Sequence, residues 1–431
     1  MGRWQSLAVP VLLLAGVPAG AAAQELTAIR AGRLVDVERG EVRRDQVILI
    51  RGERIESVQP GTARIPAGAR VVDLSRQTVL PGLIDGHAHL IGEVGLADVL
   101  LPLQRSGAQE AFSGVRNARA TLLAGFTTVR DVGTYRAFVD AALRDAIAAG
   151  TVIGPRMAVA GAYVTVSTGG GEVVGTATDV TVPVEFRFGV ANSAEEVRAR
   201  VRALLNGGAD FIKIIATGAV LTLGTKPGVS EYTEAEIRAA VEQAAEYGTY
   251  VAAHAHGAEG IKRAVRAGVR SIEHGSLMDD EAIALMKERG TWLVADIYNG
   301  DYIATVGRDQ KWPEDYLRKN DETTEAQRAG FRKAVAAGVK IAYGTDSGVY
   351  PHEFSARQLP YMVRYGMTPM QAIQSATLST AQLLGWEDRV GSLAPGKYAD
   401  IIAVDGDALA DLTRFDKIAF VMKGGVIHKA P

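Results

Sequence analysis

Cysteine is missing from all 431 residues. Disulfides, thiolate zinc sites and thiol nucleophiles are thereby excluded, which leaves His, Asp and Lys as candidate metal ligands. An excess of charge is missing too: 47 Lys and Arg stand against 49 Asp and Glu, a net charge of -2 with the signs interspersed. No basic stripe is available for a phosphate backbone, so nucleic acid is not an expected partner. Beyond residue 24 no apolar run is long enough to span a bilayer, and no membrane association is expected of the mature chain. Histidine is scarce, with seven in the chain, so the places where it falls are informative.

What is present begins with a leader. Residues 1–24 read as a signal peptide: Arg3 supplies a positive start, Leu7 to Ala23 is uncharged and apolar, and Ala21-Ala22-Ala23 is an A-x-A cleavage pattern. Pro10, Pro18 and the shortness of the run argue against a membrane anchor. Export to a bacterial periplasm is the expectation, and loss of Arg3 takes the net charge from -2 to about -3.

Residues 25–80 and 386–431 both read as short strands punctuated by glycine, as in QVILIRGERIESVQPG and AFVMKGGVIHKAP. The two termini are expected to form one small β-sandwich domain. Between them, over 81–385, strands alternate with helices. Eight strands are predicted: GLIDGHAHL, FTTVRDVG, RMAVAGAYV, FIKIIATG, YVAAHAHG, SIEHGS, WLVADIY and KIAYGTDSG. Segments such as TEAEIRAAVEQAAEYG carry helical periodicity, a polar N-cap and a closing glycine. The fold class expected is α/β, a (β/α)8 TIM-like barrel, since candidate ligands on strands one, four, five, six and eight must converge.

Those ligands are His87 and His89 in LPGLIDGHAHL, Lys213 in DFIKIIATG, His254 in VAAHAHG, His274 in SIEHGS and Asp346 in KIAYGTDSG. Each lies at or near the C-terminal end of an apolar strand, where a barrel collects its catalytic groups. Side chains alternate faces along a strand, so His87 and His89 point the same way and can reach one ion. An isolated HxH is as often an ordinary strand pair as a metal site, and it is the clustering of four of seven histidines on strand ends that shifts the balance. Lys213 sits among Phe211, Ile212, Ile214 and Ile215, where a charged amine is poorly solvated and its pKa should fall. The ordinary alternative is a lysine reaching past the strand edge to water. Asp346 reads as a ligand or as the cap of a turn. His256 shares a face with His254 and is either a substrate contact or a satisfied barrel histidine, while His352 is a candidate for the pocket lining. The long segment from Asn299 to Gly330 reads as a lid or as a solvated helical excursion.

The LPGLIDGHAHL segment, the TDS after the last strand and the closing GSLAPGKYADIIAVDGD resemble the amidohydrolase superfamily over nearly the whole mature chain. Within it the chain resembles the Xaa-Pro and Xaa-Arg dipeptidase or carboxypeptidase-like group and the bacterial ochratoxin-hydrolysing amidohydrolases. The resemblance implies two divalent ions, zinc by preference, although the ligands also suit manganese, cobalt or nickel. His87, His89 and Asp346 would hold the more buried ion and His254 and His274 the second. Lys213, carbamylated by CO2, would bridge them, and Asp346 would carry the proton to the leaving amine. Tyr232 in GVSEYTEAE is the candidate to meet the substrate α-carboxylate, or else a packing residue at the helix start.

The implied reaction is hydrolysis of the amide to a C-terminal amino acid in N-acyl amino acids, ochratoxin A-like substrates that release phenylalanine, and dipeptides. A homo-oligomer is also implied. TVSTGGGEVVGT departs from the relatives' TGGHG-like stretch, with Gly171 in place of a histidine, and leaves dipeptide specificity open. Two other readings remain: a mononuclear deaminase or cyclic-amide hydrolase on the same barrel, and a barrel that binds metal or ligand without turnover.

Overall fold

The computed structural model describes residues 25–92, 98–177 and 179–431, and the leader expected at 1–24 lies outside them. Strands β1 (Leu26–Asp36), β2 (Glu41–Arg51), β3 (Arg54–Pro60) and β4 (Arg70–Pro81) come first. The central region holds β5 (Leu83–Ala88), β6 (Phe126–Asp131), β7 (Arg156–Val159), β8 (Tyr163–Val164) and β9 (Ile212–Ile215). It continues with β10 (Val251–Gly257), β11 (Ser271–Leu277), β12 (Trp292–Ala295) and β13 (Ile341–Tyr343). The chain closes with β14 (Ile401–Asp405), β15 (Ile418–Lys423) and β16 (Val426–Lys429).

Both termini enter one seven-stranded sheet, in the order β16-β15-β14-β4-β1-β2-β3. The seam between them is β14 lying antiparallel on β4, with Ile402 opposite Leu80. Apolar residues from six of its strands, among them Ile29, Ile48, Ile55, Val79, Ile401 and Phe420, form a cluster of their own.

The central strands are parallel. Six form one sheet, β13-β12-β11-β10-β9-β8, and three form another, β5-β6-β7. The two meet where β5 and β13 approach: Ala88 bridges Ser347, His89 N–H donates to Ser347 O at 2.8 Å, and Asp346 N–H donates to His87 O at 2.7 Å. The predicted third strand, RMAVAGAYV, is split into β7 and β8 because Gly161 between them takes φ +77°, outside the extended region.

Helices lie between the strands. Ser193, Thr233 and Asp279 start three of them by accepting the backbone N–H of Glu196, Glu236 and Ala282. Gly290 stops the last of these, and Gly268 and Gly338 stop two others, in left-handed geometry with φ +67°, +99° and +77°. Period two then sorts the strand side chains. Ile212, Ile214, Val251 and Ala253 join the main apolar cluster with Val197, Ile237 and Ile261 of the helices. The alternate positions, Phe211 and Ala252, build an inner floor with Trp292, Val294 and Ala342. Lys213 and His254 follow those floor residues on the same face, one step nearer the strands' C-terminal ends, and His256 lies a step beyond His254. No helix among the described residues is long and apolar enough to cross a membrane.

Candidate metal centre and active site

One cavity at the C-terminal ends of the parallel strands is lined by His87, His89, Lys213, His254, His274 and Asp346. The structure thus brings together all six residues singled out as ligands. Their donor atoms form overlapping groups: His87, His89 and Asp346 in one, His254, His256 and His274 in another, with the atoms of each group within 4.8 Å of one another. A third group, His274, Asp296 and Asp346, joins the two.

The ring protons can be placed from the partners. His87 Nδ1 lies 2.8 Å from Glu273 Oε2, His89 Nδ1 lies 2.8 Å from Gly133 O, and His274 Nδ1 lies 3.0 Å from Asp296 Oδ1. Carbonyl and ionised carboxylate oxygens only accept, so in each ring Nδ1 carries a hydrogen, and Nε2 is the nitrogen that a neutral ring can offer to a cation. Nε2 of His87 and of His254 are buried without a hydrogen-bond partner. Buried ring nitrogens without a partner are costly unless a cation satisfies them, and the donor set of imidazoles and carboxylate suits a divalent ion.

Two buried charge networks support the rings. Arg130, with no exposed surface, donates through Nη2 to Glu273 Oε1 at 2.7 Å, through Nη1 to Ser271 Oγ at 3.1 Å and through Nε to Gly86 O at 2.6 Å. Burial alone would push the Glu273 carboxyl up, but the Arg130 guanidinium and His87 outweigh it and hold Glu273 far below the ordinary carboxylate range. Asp296 receives His274 Nδ1–H, Gln327 Nε2–H at 2.8 Å and Asn299 Nδ2–H at 3.1 Å. Asn299 also donates to Asp346 Oδ2 at 3.0 Å. Oδ1 of Asp346 is thereby turned to His87 and His89, whose Nε2 atoms lie 3.4 and 3.3 Å away. Glu273, Arg130, Asp296 and Asn299 were not singled out from the sequence. The available signal was a charged residue inside an apolar strand, as in TTVRDV and SIEHGS.

Electrostatics follow from burial. Desolvation lowers Lys213 to about 8, so a much larger fraction of its amine is neutral than in an ordinary lysine. Burial would raise Asp346, yet the imidazoles of His87 and His89 keep it well below the usual carboxylate range. Burial also holds His254 neutral and takes His256 down to about 3. His274 and Asp346 both sit at positive φ, +69° and +57°. Left-handed backbone at a non-glycine residue costs about 1 kcal/mol or more, which the surrounding structure must offset.

Other expected contacts fall elsewhere. Tyr232 does not reach the cavity: it is 1% exposed, its hydroxyl donates to Ala191 O at 2.8 Å, and its ring packs in the main core. The α-carboxylate role expected of it is therefore not available to it. His352 is buried behind the Asp346 turn, with Nδ1 3.0 Å from Ser347 Oγ, and is not among the cavity-lining residues. His256 does line the cavity. The Asn299–Gly330 segment is a packed wall: Asn299, Ile303, Tyr316, Asn320 and Thr323 face the cavity. Lys319 Nζ ties that wall to the loop after β9 through Thr222 O at 2.6 Å. Gly170 and Gly171 form part of another side of the cavity. A Cβ at Gly171 would come within 2.8 Å of Ile215, so that side is close-packed where it lacks a side chain.

Comparison with known proteins agrees with this geometry. The amidohydrolase family model matches residues 78–428. The ochratoxinase of Aspergillus niger is 32% identical, the match covering 94% of this chain and 87% of the relative. A solved Xaa-Pro dipeptidase with methionine bound in its active site superposes with TM-score 0.88 at 39% identity, over 94% of this chain and 100% of that one. The A. niger ochratoxinase structure gives TM-score 0.85 at 29% identity, over 95% and 97%.

Proposed function

The chain belongs to the amidohydrolase family and is a hydrolase of carbon–nitrogen bonds; within that class we propose a binuclear metal enzyme that cleaves the amide to a C-terminal amino acid. Its substrates are N-acyl amino acids of the ochratoxin A type, with phenylalanine as the product, and dipeptides. The observation that carries the reading is the pair of neighbouring histidine groups, each with one buried Nε2, of His87 and of His254, that makes no hydrogen bond. His87, His89 and Asp346 would hold one ion and His254 and His274 the other. Lys213 as its carbamate would bridge them. It lines the same cavity, and its charge acts on His87, His89 and His254.

When bound, two such ions, zinc in this reading, supply Lewis acidity to water and to the scissile carbonyl. The protein's own part is positional. Asp346, held through Oδ2 by Asn299, takes the proton of the attacking water and returns it to the leaving nitrogen. Ile91, Leu101, Pro102, Val220, Leu221 and Ile303 line the cavity and receive an apolar or aromatic acyl group while limiting water. We further propose that the parallel strands close into a (β/α)8 barrel over 81–385, the Ala88–Ser347 bridge being the support. Residues 25–80 and 386–431 would form the β-sandwich, and 1–24 would direct export.

The test is release of the C-terminal amino acid from ochratoxin A, N-acyl amino acids and dipeptides by protein supplied with zinc and bicarbonate. Two ions per chain, and turnover that collapses by roughly 10²-fold or more in Lys213→Ala and Asp346→Asn, are expected. One ion, or activity only on deaminase or cyclic-amide substrates, would replace this reading with the mononuclear one.

A further inference from the structure

Of the histidines that line the cavity, His256 alone has no part in the chemistry proposed above. It is held firmly. Its backbone N–H donates to Thr217 Oγ1 at 3.0 Å, and its Nδ1 lies 2.8 Å from Ser276 Oγ. The ring itself lines the cavity, with Nε2 as the nitrogen not engaged by Ser276.

The position of the pair comes from strand periodicity. His254 and His256 are two apart on β10, and His274 and Ser276 are two apart on the parallel neighbour β11. His254 and His256 share a face, and although the backbone turns left-handed at His274 and Gly275, with φ +69° and +63°, Ser276 still reaches His256 Nδ1, so that His256 and Ser276 lie one tier beyond His254 and His274 toward the open end. The His256 ring centroid is 4.6 Å from that of His254 and 4.9 Å from that of His274. A substrate entering from the strands' C-terminal ends meets this tier before it meets the ligands.

We infer that His256 is a catalytic residue: Ser276 Oγ–H donates to Nδ1, and Nε2–H donates to the scissile carbonyl oxygen as it becomes the tetrahedral oxyanion. The inference rests on the amide-hydrolase reading of this site. The step balances without a proton leaving His256. Water oxygen forms the new bond to carbon, the C=O pair moves to oxygen, and the proton released goes to Asp346. On collapse the C–N bond breaks and Asp346 returns that proton to nitrogen. A fixed donor aimed at developing charge costs no reorganisation when the charge appears.

The competing role is a third imidazole ligand beside His254 and His274, which the donor spacing also permits. That role needs a lone pair on Nε2, whereas oxyanion binding needs a hydrogen there. The deciding experiment compares wild type, His256→Ala and His256→Gln as full chains, reading bound zinc, kcat, KM and the affinity of a phosphonate analogue of an N-acyl-phenylalanine. His256→Ala should keep two ions and a near-normal KM, lose roughly 10²- to 10³-fold in kcat and bind the tetrahedral analogue correspondingly less tightly. Phenylalanine, the product, should bind as before. His256→Gln, which restores an N–H near Nε2, should recover part of the loss. Loss of one ion in His256→Ala would overturn the inference in favour of a ligand role. Equal weakening of analogue and product, or no effect on either, would also overturn it. A wild type inactive on every amide would overturn the functional reading itself, an outcome distinct from an active enzyme indifferent to His256.

Discussion

Replacing Glu273 with Gln should loosen an ion bound by His87, His89 and Asp346 by roughly 10- to 100-fold, while leaving the His254–His274 side unchanged. Glu273 is fully buried, and its two oxygens are divided between His87 Nδ1 at 2.8 Å and Arg130 Nη2 at 2.7 Å. The amide keeps the volume and removes the charge, so the hydrogen bond to His87 changes from charge-assisted to neutral. That difference is about 1–2 kcal/mol, which matches the roughly tenfold effect at the lower end of the range. The substitution also strands Arg130 as a buried cation, a cost of about 3–5 kcal/mol in folding stability. The double variant Arg130→Met, Glu273→Gln removes the stranded charge and should regain most of that stability while the metal stays loose. Zinc titration against a competing fluorescent chelator resolves the two affinities, and chemical denaturation reads the stability. Equal loosening at both sides, or an unchanged first affinity, would show that Glu273 does not tune His87.

Two further outcomes can be stated. With Lys213 lowered to about 8 by burial, its free-amine fraction at fixed dissolved CO2 rises about tenfold per pH unit below that value and levels above it. Carbon-13 bicarbonate labelling of metal-free protein should therefore show carbamate yield reaching a plateau near pH ~8–9, and a yield still climbing steeply at about pH 10 would mean an ordinary lysine. Tyr232→Phe should leave kcat and KM unchanged and cost about 1 kcal/mol of stability, the worth of its bond to Ala191 O. A raised KM for substrates with a free α-carboxylate would contradict its placement in the core.

The histidine and lysine candidates were legible because strand geometry is local. His87 with His89, and His254 with His256, share faces by period two, and an apolar run ending in such a pair marks the end of a parallel strand. Helix limits were legible for the same reason, in Thr233 with Glu236 and in the glycine at 290. Tyr232 was not: a tyrosine before a helix reads alike whether its hydroxyl meets a ligand or the Ala191 carbonyl 41 residues earlier in the chain. Arg130 and Glu273 escaped notice because their meaning lies in a contact across 143 residues. The break at Gly161 was hidden inside a run of strand-forming neighbours, where only the observed φ distinguishes a kink from extended backbone.

The order of the terminal sheet has a consequence for synthesis. β4 is complete at Pro81, but its partner on one side, β14, begins at Ile401, about 320 residues later. Throughout that interval a nascent chain carries an unpaired strand edge, with Val79 and Leu80 uncovered by the strand that finally pairs with them. The sheet is therefore a lock that only the full-length message can turn. A chain cut short before Ile401 retains every metal-ligand candidate yet lacks the seam, and it is expected to be lost to aggregation or proteolysis before its cavity can be used.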